Sequence, residues 1–347
     1  MSEIITKGFA AYDESANFKP ITFKRSALRD DEILIKTMYC GICHSDIHAA
    51  KNEWKATKYP IVPGHEIVGL VVEIGKNVKE FEIGNYAGIG CLINSCGECD
   101  ACLNSNEQFC QKGAVWTYNS VDYFNNSEIT KGGYSNYIKV HKNYAIKVPN
   151  NAPLKLIAPL FCAGITTYSP LKFSKVSKGM DVAIAGFGGL GVMAFKYAKA
   201  MGANVSVIAR NDTKKEAAIK LGASNYYNDI NKVDKKFDVI ISTIPSKYDV
   251  LAYARTLKYG GEMAIVGLPP INEQVSISLN ALIRVSHKKI YGSLIGGIKE
   301  TKEMLEFSLK HSIYPEVKII KPDEINKAYD DLLNNSNSFR YVIDFNE

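Results

Sequence analysis

The stretch that most restricts how this chain can fold spans residues 181–208. Asp181-Val-Ala-Ile-Ala185 has the continuous apolar pattern of a strand buried on both faces. Gly186-Phe-Gly188-Gly189-Leu190-Gly191 follows at once, a helix is predicted over 192–201, and 205–208 reads as the next strand. A lone G-x-G-x-x-G says little. Between strand and helix in a βαβ unit, it points to a parallel sheet whose glycines let the backbone approach a pyrophosphate at a helix N-terminus. A packing turn in some other α/β fold is the competing explanation, and the placement of the glycines argues against it.

The pattern continues downstream. Strand-like runs are expected at 237–243, 262–267 and 290–296, with helical segments between the first two. Beyond Gly297 an amphipathic helix to about His311 and a final strand over 339–344 are expected to rejoin the first domain. Before residue 147 the signals differ. Runs at 33–38 and 67–74 are bounded by turn residues such as Gly75-Lys-Asn77 and Gly84-Asn85, which suggests a small, partly open barrel. A chain of 347 residues accommodates two such domains. The expected boundaries are 1–152 with 297–347 for the β-rich domain and 153–296 for the α/β domain.

The formal charge of +6 is spread along the chain with no run of five basic residues, so neither nucleic acid nor a membrane surface is an expected partner. The first residues lack a signal-peptide pattern, and the longest uncharged run considered, 182–195, is too short to span a bilayer. A cytoplasmic location is expected, and its eight cysteines then call for a reason other than disulfides.

Metal supplies that reason twice. Cys96, Cys99 and Cys102 are followed, after seven intervening residues, by Cys110, a set suited to a closed tetrahedral zinc site with a structural role. An iron–sulfur cluster is the rival, but the common bacterial spacing has a shorter last gap followed by proline, and Gln111 stands here. The second concentration begins Cys40-Gly-Ile-Cys43-His44-Ser45-Asp46-Ile-His48 and ends Gly64-His65-Glu66, holding three of the six histidines. It reads as half of a catalytic metal site. Cys40 and Cys43 could also form a redox pair, but the βαβ context such a pair needs is missing.

Together, Gly41-Ile-Cys43-His-Ser-Asp46, Gly64-His65-Glu66-Ile-Val-Gly69, the four-cysteine lobe, Gly132-Gly-Tyr-Ser135, Phe161-Cys162-Ala-Gly-Ile-Thr166-Thr-Tyr-Ser-Pro170 and the glycine turn resemble the zinc-dependent medium-chain alcohol dehydrogenases, in their cinnamyl alcohol dehydrogenase-like branch. The resemblance covers most of the chain. It implies an α/β protein with a GroES-like β-rich catalytic domain, a Rossmann domain with a doubly wound parallel sheet, and an active site in the cleft between them. It also implies two zinc ions per chain. Cys43, His65 and Cys162 match the catalytic ligands, and Glu66 matches an alternative fourth ligand. Ser45 matches the hydroxyl that contacts the substrate oxygen, and His48 the imidazole that relays the proton. Counting on from His48 gives Glu53 as the third member. Cys40 is then a buried strand residue, and His141, His287 and His311 are structural.

The second strand of the α/β domain ends Ile208-Ala209-Arg210, without the acid that would hold ribose hydroxyls and repel a 2′-phosphate. Arg210, with Lys214 or Lys215, suits that phosphate, so NADP(H) is the expected cofactor. By family position Thr166, Thr243, Gly267, Ser293 and Ile295 join Gly186, Gly188, Gly189, Leu190 and Gly191 on the cofactor. Trp54, Cys91, Trp116 and Leu294 line the substrate pocket, whose apolar wall favours aromatic or aliphatic aldehydes and primary alcohols. A homodimer joined near the strand around Ile290 is expected. The alternatives are a polyol or sugar dehydrogenase of the same superfamily and a non-catalytic zinc-binding protein on the same fold.

Overall fold

Val- and Ile-rich runs between residues 32 and 89 are separated by glycine turns, and they pair antiparallel with one another. In the computed structural model, which describes residues 3–273, 275–334 and 339–346, they build a seven-stranded sheet. Its order is Ile146–Val148, Tyr86–Ile89, Ile67–Ile74, Glu32–Gly41, Arg340–Asp344 and Val317–Ile320, with Tyr137–His141 also paired to Glu32–Gly41. Glu32–Gly41 is the hub, paired with three other strands. Gly69 is required where this strand and Ile67–Ile74 close up: an added Cβ would lie 2.2 Å from the Lys36 carbonyl oxygen. The hairpin Ile4–Ala11 with Phe18–Arg25 forms a separate two-stranded sheet.

This β-rich unit comprises Met1–Cys162, Gly296–Leu309 and Tyr314–Glu347, and Ala163–Ile295 with Lys310–Ile313 form the second unit. The second is an all-parallel six-stranded sheet ordered Asn225–Tyr227, Asn204–Ile208, Asp181–Ala185, Phe237–Ser242, Leu257–Ile265 and Lys289–Gly292. Numbered along the chain, that order is 3-2-1-4-5-6, the doubly wound arrangement anticipated for a dinucleotide-binding domain. Its central strands are buried on both faces, with Ala183, Ile208, Phe237, Ile240 and Met263 inaccessible to solvent.

Several element bounds depart from the sequence reading. The helix after the glycine turn begins at Gly189 rather than 192, so the last glycine of the motif lies inside its first turn. The strand anticipated at 290–296 stops at Gly292, because Ser293 makes a last bond to the Ile265 carbonyl and Ile295 then turns left-handed at φ 41°. The strand anticipated at 262–267 is longer at its start, Leu257–Ile265, with a register shift opposite Phe237 and Val239. No single helix among the described residues is long and apolar enough to cross a membrane.

Candidate active site and metal centres

Cys43 sits where the hub strand ends and a short helix, His44–Ala50, begins; it is the N-cap residue in extended conformation. Asp46, three residues on, turns back to accept the Cys43 N–H at 2.9 Å. The same carboxylate accepts the Gly64 N–H at 3.1 Å and lies 3.0 Å from Nδ1 of His65. A helix-capping residue thereby also orients an imidazole from a different segment. Its proton on Nδ1 leaves the Nε2 lone pair for a metal, the usual arrangement of a carboxylate behind a ligating histidine. Cys162 follows the 3-10 turn Ala158–Phe161, and the Phe161 ring fills the space beside Gly88, where a Cβ would sit 1.9 Å away.

The ligand atoms of Cys43, His65, Glu66 and Cys162 all lie within 4.8 Å of one another, and all four residues are buried. The two sulfurs are 3.9 Å apart. Tetrahedral zinc with Zn–S bonds of about 2.3 Å sets its sulfurs roughly 3.8 Å apart, so the donor set fits this ion. The electrostatics agree. The contact with Cys162 pulls the Cys43 thiol well below its ordinary pKa against the opposition of burial, while Cys162 is pushed well up by the same contact. Two buried thiols this close favour a single shared negative charge, and a divalent cation would let both bind as thiolates. Burial pushes Glu66 up to about 7 although Arg340 pulls the other way. Arg340 donates to Oε1 of Glu66, while Oε2 has no hydrogen-bond partner among the described residues. Gly41 gives that oxygen room, since a Cβ there would stand 2.0 Å from it.

Ser45 and His48 lie one turn apart on the helix His44–Ala50. Nδ1 of His48 contacts the Glu53 carboxylate, and its ring stands 5.4 Å from that of Trp54. The indole nitrogen of Trp54 is buried without a partner among the described residues. Hydrogen bonding to Cys162 lowers the pKa of Cys91, which puts this half-buried thiol beside the ligand cluster. Trp116 pairs with Leu92, the next residue along the chain from Cys91. Cys40 is fully buried on the hub strand.

Cys96, Cys99, Cys102 and Cys110 form a second cluster, their sulfurs also within 4.8 Å of one another and those of Cys96 and Cys102 3.8 Å apart. Backbone N–H groups of Cys102 and Gln111 lower Cys99 to about 6. The four-sulfur set fits a closed zinc site.

In the second unit, Gly186 takes φ +85°, and a Cβ on Gly191 would stand 2.1 Å from the Gly186 carbonyl oxygen. Thr243 braces the turn by donating to the carbonyls of Ala185 and Gly186, each at 3.2 Å. A Cβ on Gly188 would meet nothing within 4 Å, so there is room beside the backbone where the helix Gly189–Ala200 begins. That cradle suits a pyrophosphate. Arg210 is exposed just past the strand Asn204–Ile208, followed by Lys214, and the nearby Asp212 accepts from Asn228 at 2.9 Å. Thr166 is buried on the helix Ala163–Phe173, Gly267 donates to the Ser242 carbonyl, and Leu294 is 45% exposed.

Sequence reasoning gave no role to Asp46 or Arg340. Asp46 carried a faint signal, an acid three residues after an N-cap position; Arg340, 274 residues from Glu66, carried none.

Residues 29–150 match the family described as alcohol dehydrogenase GroES-like domain, and residues 189–310 the family described as zinc-binding dehydrogenase. The chain is 43% identical over 344 residues to a probable formaldehyde dehydrogenase of Bacillus subtilis (strain 168), covering 98% of this chain and 97% of that one. It is 42% identical over 344 residues to cinnamyl alcohol dehydrogenase 2 of Rauvolfia serpentina, covering 97% and 94%. The crystal structure of CAD from Helicobacter pylori complexed with NADP(H) superposes with a TM-score of 0.95 at 52% identity, covering 99% of this chain and 98% of that one.

Proposed function

The chain belongs to the zinc-binding dehydrogenases with an alcohol dehydrogenase GroES-like domain, and from that premise we propose that it is an NADP(H)-dependent alcohol dehydrogenase and aldehyde reductase. Its substrates are aromatic and aliphatic aldehydes and the matching primary alcohols. The observation that carries the reading is the buried convergence of Cys43, His65, Glu66 and Cys162. The relative complexed with NADP(H) and the Ala209-Arg210 strand end support the cofactor.

Bound zinc would polarise the substrate oxygen, and reduced nicotinamide would supply the hydride. Cys43 and Cys162 would hold the ion as thiolates and His65 as a neutral imidazole, three protein ligands that leave a position for substrate. Glu66 would enter that position when substrate is absent. The alcohol formed takes one proton, which Ser45 would pass on from His48. Glu53 at Nδ1 fixes the histidine's tautomer, so Nε2 exchanges the proton. Gly186 to Gly191 would carry the pyrophosphate, with Thr243 bracing the turn, and Arg210 with Lys214 the 2′-phosphate. Thr166, Gly267, Ser293 and Ile295 would serve the nicotinamide end, and Trp54, Cys91, Trp116 and Leu294 the substrate. The second zinc would keep the Cys96–Cys110 lobe folded.

The two units part after Cys162 and before Gly296, which keeps Cys43, His65, Glu66 and Cys162 in one unit and the glycine turn in the other. Eight free cysteines support a cytoplasmic location. A homodimer is supported by the edge strand Lys289–Gly292 and by Leu279 and Ile283, exposed at 75% and 73%. The deciding assay follows NADPH oxidation with benzaldehyde and aliphatic aldehydes, using NADH as control, and NADP+ reduction with sorbitol. Turnover of sorbitol but not of aldehydes would replace this reading by a polyol dehydrogenase, and zinc-loaded protein inert with every substrate by a non-catalytic one.

A further inference from the structure

We propose that Tyr134 and Tyr329 form an outer hydrogen-bond chain that holds Asp46, and through it His65, in the posture the catalytic zinc requires. The inference rests on the reading of Cys43, His65 and Cys162 as that zinc's ligands. Asp46 is fully buried, and its oxygens take the N–H groups of Cys43 and Gly64 and the Nδ1 of His65. A remaining lone pair on Oδ2 is met by the Tyr134 hydroxyl at 3.4 Å. The Tyr329 hydroxyl lies 3.1 Å from that of Tyr134, so with the Tyr134 proton on Asp46, Tyr329 is the donor between them.

The chain is built into the backbone that carries His65. Tyr134 N–H binds the Pro63 carbonyl and Gly133 N–H the Gly64 carbonyl, each at 2.9 Å. Gly64, at φ +101°, lets the Tyr134 ring close on it, since a Cβ would lie 2.7 Å from the ring. Phe18 meets both phenol rings edge-on, with centroids 5.7 Å from Tyr134 and 4.8 Å from Tyr329. Phenylalanine would fill the same volumes. Burying two hydroxyls instead is costly unless they are paired, and here they are paired in series toward one carboxylate. Without the Tyr134 hydroxyl, Oδ2 would lose a donor, and the carboxylate behind His65, which the Tyr118 side chain also contacts, would be held less firmly. Partners of this kind typically govern metal affinity by 10–100-fold, and a group one bond further out belongs at about the lower end.

The test challenges zinc-loaded wild type, Tyr134→Phe and Tyr329→Phe with dipicolinate and follows zinc release with a chromogenic indicator. The four-cysteine zinc serves as internal control. The catalytic ion is identified as the one whose loss parallels loss of turnover. Expected is release of that ion about tenfold faster in Tyr134→Phe and by a smaller factor in Tyr329→Phe, the other ion leaving at the wild-type rate. Unchanged release of the catalytic ion in both variants overturns the proposal. So does equal acceleration of both ions, the mark of general loosening. Wild-type protein with no zinc tied to turnover would instead overturn the reading of the ligand set.

Discussion

Gly188 and Gly191 belong to one motif, yet their surroundings predict opposite consequences for the same change to alanine. At Gly188 the new methyl would meet no atom within 4 Å, and the backbone at φ −92° is open to any residue. Alanine there gains about 0.4–1 kcal/mol by stiffening the unfolded chain and loses a similar amount as a poorer helix N-cap, about 1 kcal/mol at most. Stability should therefore change by less than about 0.5 kcal/mol. The methyl would nevertheless occupy the space a pyrophosphate must enter to reach the helix N–H groups. Loss of one charge-assisted hydrogen bond, about 1.5–3 kcal/mol, corresponds to roughly a 10–150-fold higher Kd for NADPH. At Gly191 the methyl would overlap the Gly186 carbonyl at 2.1 Å. The turn would have to open by about 1 Å, and overpacking of this kind costs about 1–3 kcal/mol. Fluorescence titration with NADPH and urea denaturation separate the two quantities. Gly188→Ala with wild-type NADPH affinity would refute the cradle, and Gly191→Ala with wild-type stability would refute the packing argument.

Cys43→Ser should abolish turnover and remove one of two zinc ions, whereas Cys40→Ser should leave metal content and kcat nearly intact; metal analysis with steady-state kinetics decides. Arg210→Asp should raise the KM for NADPH at least tenfold and narrow the preference over NADH, because it places an acid where a 2′-phosphate would lie; unchanged NADPH kinetics would refute that pocket. Asp181 is buried enough to raise its pKa, but the bridges from Lys235 and Lys258 win and hold it below the ordinary 3.8. A depressed carboxylate stabilises the fold above its unfolded pKa and loses that contribution as pH falls through the folded value. Asp181→Asn should therefore cost about 0.5–1 kcal/mol at neutral pH. In urea midpoints, the gap to wild type should close as the pH drops below 3.8.

The doubly wound sheet was legible because each of its inner strands is an apolar run that nothing but burial on both faces explains, and because the glycine turn fixes where the first crossover begins. Boundaries were less legible where backbone geometry rather than composition ends an element. Ser293-Leu-Ile295 continues the apolar pattern of a strand, yet Ile295 turns left-handed and the ladder ends at Gly292. The helix carrying Ser45 and His48 was not anticipated at all. Seven residues long, with an exposed histidine at its start, it depends on the Asp46 cap and on buried Ile47, Ala49 and Ala50 more than on propensity.

The candidate metal ligands announced themselves by side-chain type, since thiols and imidazoles at close spacing have few other uses. The groups behind them did not. An aspartate, an arginine or a tyrosine does its work here by where it stands, and those positions are set by register: Val342 faces Gly41 across the sheet, which brings Arg340 to Glu66. The pairing has an energetic logic that the ligand list alone lacks. Glu66 is wholly buried, and an ionised carboxylate there is costly to keep without a partner. Arg340 meets that cost through Oε1 alone. Oε2 is left as the unfilled half of a carboxylate that belongs to the same buried cluster as Cys43, His65 and Cys162.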